Sequence, residues 1–159
     1  MKAVTRIYGD IDRYMREIGD AQSLEIRRDL IVQLEERMRA DVGALDAAAF
    51  VTRHHFAPGT YAREIELPAG SCVVGKIHRE AHANVISRGH VLVATPDGVD
   101  SLSAPLTFIS HPGTKRLVIA VDDVVWTTVH ANPTNTRDLE QLERELMAPT
   151  FAALEGVQR

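Results

Sequence analysis

The sequence is poor in the residue types that mark several large functional classes. Among its 159 residues there is a single cysteine, Cys72, so no internal disulfide can form, as expected of a chain kept in the reducing cytoplasm. That cysteine stands in the apolar run Cys72-Val73-Val74, which makes it a buried structural thiol rather than a nucleophile. Aromatic residues make up 5% of the chain, too few for a base-stacking platform. Lys and Arg number 18 against 22 Asp and Glu, a net charge of -4, without the basic surplus that a phosphate backbone selects. No apolar run reaches the ~20 residues that cross a bilayer, and no charged-then-apolar leader opens the chain. The expectations are no nucleic-acid partner, no membrane insertion and a cytoplasmic location.

What is present is enough for one domain with a full core. From Ile7 to Val42 the period is helical, with Ile7, Ile11, Met15 and Ile18 on one stripe and Ile26, Leu30, Leu34 and Met38 on another. This predicts two amphipathic helices, broken at Gly19-Asp20-Ala21-Gln22-Ser23, where Asp20 or Ser23 caps the second. Residues 43–55 form a connector that ends in His54 and His55, whose side chains would face opposite ways along a strand. From Phe56 the period changes to two, and short strands are predicted at 61–67, 71–77, 84–87, 90–95, 101–103, 107–110, 116–121 and 124–130, separated by Gly, Pro and Asp turns. After Asn132-Pro133-Thr134-Asn135 a last helix carries Leu139, Leu142 and Leu146, with Asn135 or Thr136 as its cap. The expected organisation is an N-terminal helical extension (1–48), a β-barrel (49–132), and a C-terminal helix with its tail (133–159). Many short strands with frequent breaks indicate an antiparallel sandwich or barrel.

The candidate site lies in residues 68–90, where His78 and His82 occupy a short polar break between β-rich runs. Around it the chain resembles the cupin superfamily, small jelly-roll barrels with two weak motifs. The first motif runs from a Pro-x-Gly turn through His-x-His to Glu and, after six further residues, Gly. Here Pro68-Ala69-Gly70 is followed by Lys76-Ile77-His78, His82 and Gly89, so Lys stands for the first His and His82 for the Glu. The second motif puts a His after Pro-x-Gly and two residues, whereas Ser110-His111-Pro112-Gly113-Thr114-Lys115-Arg116 puts Arg116 there. Taken with Val-Trp-Thr-Thr-Val-His at 125–130, the pattern is similar to small cupin-like proteins of bacteriophages and prophages. The resemblance covers 56–131. It implies a mainly β chain, a single cupin-type double-stranded β-helix flanked by two N-terminal helices and one C-terminal helix, in a bacterial or phage-infected cell. A homodimer is also implied, because many cupins pair. It does not imply a reaction, since this barrel serves many chemistries.

The residues themselves allow more. His130 ends the strand that carries Trp126 and Thr128 at the same parity, and barrel closure would set it opposite His78 and His82. Three neutral imidazoles leave coordination positions open on a divalent ion, Fe, Mn, Ni or Zn. The bland alternative is a set of histidines that hydrogen-bond within the barrel. Lys76 shares the parity of His78 and is expected inside, as a proton-transfer group with Tyr61 and Glu64. Tyr61 and Arg63 have one parity and Glu64 the other, so the interior receives either the guanidinium, to orient a carboxylate or phosphate, or the carboxylate, as acid/base or ligand. Arg116 is either a surface ion-pair partner or a recogniser of substrate charge. Trp126 reads as core or pocket wall. His111 is a weaker fourth ligand candidate, and His90 is structural. Two functions follow: a metal-dependent cupin enzyme acting on a small molecule, or a non-catalytic module that sequesters a ligand or builds an assembly.

Overall fold

Alternating side chains from residue 52 onward build two facing sheets, and the computed structural model that shows them describes residues 2–40 and 50–155, with backbone alone over 2–10 and at 155. The predicted connector up to residue 49 and the stripe residue Ile7 fall outside what is described in full. Helix α1 (Lys2–Asp20) and helix α2 (Leu24–Ala40) come first. Ser23 is the cap of α2, its Oγ accepting from the Ile26 amide at 3.1 Å.

The strands are β1 (Thr52–Ala57), β2 (Gly59–Leu67), β3 (Cys72–Val74), β4 (Ile77–His78), β5 (His82–Arg88), β6 (His90–Thr95), β7 (Gly98–Ser103), β8 (Leu106–Ser110), β9 (Leu117–Ala120) and β10 (Val124–Asn132). They are followed by helix α3 (Leu139–Leu146), strand β11 (Met147–Ala148) and helix α4 (Phe151–Glu155). One sheet has the order β1-β2-β10-β5-β8 and the other β3-β9-β6-β7, with β11-β4 as a separate pair. The fold is the expected mainly β barrel of two sheets.

The core between the sheets gathers Leu67, Ile86, Val91, Val93, Val124 and Trp126. The four-stranded sheet is also covered on its outer face, where Ile11, Ile18, Ile31 and Leu34 of the helices pack against Ala94 and Leu117. Burial on both faces explains the unbroken apolar runs Val91-Leu92-Val93-Ala94 and Leu117-Val118-Ile119-Ala120. Each fully buried aliphatic side chain contributes about 1.5–3 kcal/mol, so the helix pair is an integral layer of the domain. The stripe on α2 is set by Ile31 and Leu34, with Leu30 and Met38 partly buried beside them. Ile26, expected on that stripe, is 53% exposed.

Three local features differ from the sequence-based expectation. The predicted strand 71–77 is interrupted at Gly75-Lys76, leaving β3 and β4 in different sheets. At the C-terminus Asp138 caps α3, its carboxylate accepting from the Glu140 and Gln141 amides. Asn135 instead takes a positive φ of 53° and accepts the Gly59 amide on its Oδ1 at 2.7 Å. The single expected C-terminal helix is two short ones with β11 between them.

Candidate metal centre

The inward face of the five-stranded sheet changes from apolar to polar along the barrel axis. Strand pairing places Leu67 against Val124, then Ile65 against Trp126 and Ile86, then Arg63 against Thr128 and Asn84, then Tyr61 against His130. His82 on β5 sits opposite Ser110 on β8 at this last, polar end. The same period of two that buries Leu67 and Ile86 therefore delivers Tyr61, His82, Asn84 and His130 inward, and all four are buried. It also settles the choice between Arg63 and Glu64. Arg63 shares the inward parity, and Glu64 lies on the outer face with Glu66, where both accept from Arg53 of β1, at 2.9 and 2.5 Å. Glu64 is thus placed away from the histidines, contrary to the acid/base or ligand role considered for it.

His78 comes from outside this sheet and is held by the C-terminal segment. Met147 of β11 pairs with His78, the Arg79 amide donates to the Leu146 carbonyl at 2.9 Å, and the Arg79 guanidinium donates to the Met147 carbonyl at 2.9 Å. On its other side the Gly113 amide donates to the His78 carbonyl at 2.8 Å. Gly113 adopts φ +80°, and a Cβ there would come within 3.0 Å of Leu154, so the turn after Pro112 favours glycine. Gly89 meets a stricter limit, since at φ +88° an added Cβ would lie 2.5 Å from the Asp123 carbonyl.

These elements bring His78, His82 and His130 together as expected. Their ligand atoms all lie within 4.8 Å of one another, with ring centroids 3.9 Å apart for His78 and His82, 4.7 Å for His82 and His130, and 5.2 Å for His78 and His130. The Nδ1 of His78 and the Nε2 of His82 are buried with no hydrogen-bond partner among the described residues, an expensive arrangement for a polar atom unless something occupies the space between them. The His82 Nδ1 is 3.2 Å from the Glu80 carbonyl oxygen, to which only an N–H can donate. That contact leaves the lone pair on Nε2, facing the cluster, as in a metal-ligating histidine oriented by a backbone carbonyl.

Burial holds all three imidazoles neutral. It pushes His78 down to about 2, with His82, His130, Arg116 and Arg63 adding to the effect. It pushes His130 down to about 4, with His82 and Arg63 adding, and it lowers His82 as well. Neutral imidazole is the protonation state a metal requires. Three nitrogen donors of this kind suit Zn(II), Ni(II) or Fe(II), and leave positions open for water or a ligand.

Around the cluster runs a hydrogen-bonded chain that the sequence did not announce. The Trp126 indole donates to Asn84 Oδ1 at 3.1 Å, the Asn84 amide donates to Ser110 Oγ at 2.7 Å, and the Arg116 guanidinium donates to the same Ser110 oxygen. Because an indole can only donate, the orientation of the Asn84 amide is fixed. Arg116 also stands over the rings of Phe108 and Trp126, 5.5 and 5.7 Å from their centroids, and so faces the interior rather than making the surface ion pair considered for it. Asn84 and Ser110 were missed as site residues; the available signal was a polar residue at inward parity between His82 and Ile86.

Tyr61 is buried near His130, with ring centroids 6.1 Å apart, and its hydroxyl is 2.8 Å from His54 Nδ1 on the neighbouring strand. Lys76 is the main displacement from expectation. It lies in the break between β3 and β4, so strand parity with His78 does not apply, and its ammonium pairs with Glu143 of α3 at 2.5 Å with 57% of the side chain exposed. His111 is exposed on its turn, outside the cluster. His90 is the expected structural residue, its Nε2 2.7 Å from Ser101 Oγ. Burial raises the Cys72 thiol to about 12, in keeping with an inert core cysteine.

No family model matches the chain, and no curated protein matches it. Solved structures do. An ectoine synthase from P. lautus is similar over 67% of this chain and 80% of its own, at 12% identity and a TM-score of 0.51. An RmlC-like cupin family protein with a double-stranded β-helix fold from Methanocaldococcus jannaschii is similar over 56% of this chain and 86% of its own, at 17% identity and a TM-score of 0.46. The chain has the cupin fold.

Proposed function

We propose that the protein is a metal-dependent cupin that holds one divalent ion on His78, His82 and His130 and uses it to bind and transform a small molecule. The observation that carries this is the pair of buried imidazole nitrogens without partners, on His78 and His82, completed by His130 in the same cluster. A hydrogen-bonded histidine core would have satisfied those atoms. A bound ion would supply Lewis-acid polarisation of a coordinated oxygen and would lower the pKa of coordinated water.

The chain's own residues set the conditions for that chemistry. The Glu80 carbonyl orients His82, and the β4–β11 pair holds His78 from behind. Tyr61 is the proton-transfer group best placed beside the cluster, since its hydroxyl links the interior to the more exposed His54. Burial raises the Tyr61 pKa, which keeps the phenol protonated and able to donate. The test is elemental analysis of purified protein with His78→Ala and His130→Ala alongside. One equivalent of a transition metal in the parent, lost in both variants, is expected; metal content unchanged by either substitution would overturn the assignment.

A further inference from the structure

Among the described residues, the polar end of the barrel carries a cation without a counter-charge. Arg116 is half-buried, and its guanidinium hydrogen-bonds to a neutral hydroxyl and stands over two aromatic rings. Burial alone pushes it down to about 10, with no carboxylate acting in the opposite direction. Arg63 adds a second positive charge on the inward face, close enough to be felt by His78 and His130. The carboxylates that could have answered these charges are engaged elsewhere, Glu64 and Glu66 on Arg53 and Glu143 on Lys76. A buried charge left without a partner is costly. A fork of N–H donors that is already oriented by Ser110 matches a planar carboxylate in two-point contact.

The space in front of Arg116 defines what else the ligand carries. A cavity of about 110 Å³ is lined by Arg116, Lys76, His78, Asn84 and Thr128 on its polar side and by apolar groups including Ile65, Val73 and Trp126 on the other; the Lys76 ammonium is itself paired with Glu143. Among the described residues no Asp or Glu lines it. Ser110 Oγ already receives N–H donations from Asn84 and Arg116, so its own proton is left to donate, and an oxyanion beside Arg116 is the acceptor that would complete the chain.

From this geometry we infer that the site binds a monocarboxylic acid, its carboxylate on Arg116 and its apolar body against Trp126, with the far end directed to the histidine cluster through His78. This deepens the metal-centre proposal and rests on it only for the last clause, because the carboxylate pocket itself is made by Arg116 and the barrel core.

Trp126 is the only tryptophan in the chain, and its fluorescence reports this cavity directly. Isobutyrate, isobutyramide and inorganic phosphate are titrated into the full chain, once after EDTA treatment and once after loading with Zn²⁺, with zinc binding measured separately by calorimetry. Isobutyrate is expected to shift Trp126 emission saturably. The neutral amide should bind at least tenfold more weakly, and tetrahedral phosphate should not compete. Arg116→Gln should weaken isobutyrate at least tenfold without weakening zinc binding, and Arg116→Lys, which keeps the charge but not the fork, should fall between. Equal binding of isobutyrate and isobutyramide by the parent protein overturns the inference without recourse to any variant, as does phosphate binding as tightly as isobutyrate. Zinc binding without isobutyrate binding sinks the inference alone. Isobutyrate binding without zinc binding sinks the metal centre and leaves the carboxylate pocket standing.

Discussion

Removing the Glu35 carboxylate should destabilise the whole domain, although Glu35 lies on a helix outside the barrel. Its Oε2 is 2.8 Å from the Nζ of Lys115, whose side chain is 6% exposed while that of Glu35 is 20% exposed. At this distance and an effective dielectric of about 20 the attraction is about 6 kcal/mol, set against a desolvation penalty of several kcal/mol for each ion. The intact pair is therefore near break-even, and the asymmetry appears only when one partner is removed. Glu35→Ala leaves the Lys115 ammonium buried and unpaired, a loss in the range of 3–5 kcal/mol for such changes, and partial access of water near Glu35 argues for the lower end, about 3 kcal/mol. Lys115→Met replaces the ammonium with an apolar chain of similar length. Glu35 would then keep its 2.8 Å contact from Arg39 and some access to solvent, so the cost should be about 1 kcal/mol. The double variant should lose about 2 kcal/mol, less than Glu35→Ala alone, a coupling of about 2 kcal/mol, which is within the usual span for residues in contact. Urea unfolding of the four proteins, followed by Trp126 fluorescence and far-UV circular dichroism and fitted with a common slope, measures the cycle. A Glu35→Ala loss below about 1 kcal/mol, or strictly additive single changes, would refute the picture of a buried pair joining α2 to the barrel.

Other consequences concern the site itself. His78 and His130 are neutral in the fold and take up protons in the unfolded chain below its ordinary value of 6.5. Stability present above that pH is therefore lost as pH falls, by up to about 1.4 kcal/mol per pH unit for each histidine, levelling near 4 for His130 and near 2 for His78; equal unfolding midpoints at pH 7 and pH 5 in metal-free protein would count against it. Zn²⁺ at 100 times its dissociation constant should raise stability by about 2.7 kcal/mol at pH 7.5, measured as a rise in melting temperature that EDTA reverses and that His82→Gln abolishes. Asn84→Leu should cost about 2–4 kcal/mol in denaturant unfolding, because it strands the buried Trp126 N–H and removes the donor that orients Ser110; a loss below 0.5 kcal/mol would show that the chain of bonds is dispensable.

Much of this was legible because the barrel writes itself in period two. Strand β6 was bounded to the residue at 90–95, and the pairing of His78 and His82 with the distant His130 followed from parity and closure alone. Where expectation failed, a local rule had been extended past the point where its cause operates. Parity tied Lys76 to His78 only for as long as they shared a strand, and the break at Gly75-Lys76 released the side chain to Glu143. The two-residue strand β11 carries no periodicity of its own, yet it holds His78 in place, because a pairing that short is decided by the tertiary position of α3. Asn84 looked like the polar start of a strand, and only the register across β5, β8 and β10 shows that its amide is aimed at Trp126 and Ser110.

The departures from the usual cupin motifs can be understood together as one change in charge. Where the resemblance calls for an acidic ligand this chain has His82, and where it calls for the second-motif histidine it has Arg116. The first replacement removes a negative charge from the ligand set and the second adds a positive one to the wall of the same cavity. Neither is compensated nearby, since the carboxylates closest along β2 are paired on the outer face and the α3 acid Glu143 faces Lys76. A cation held by the three neutral imidazoles, as proposed, would be repelled by the Arg116 guanidinium, and burial would make that repulsion larger than it would be in water. An anion bound between the two would relieve both charges. On the proposed reading metal and acid would therefore bind cooperatively, and the coupling would be reciprocal by linkage, with the negative charge that the motif acid would have supplied arriving with the ligand.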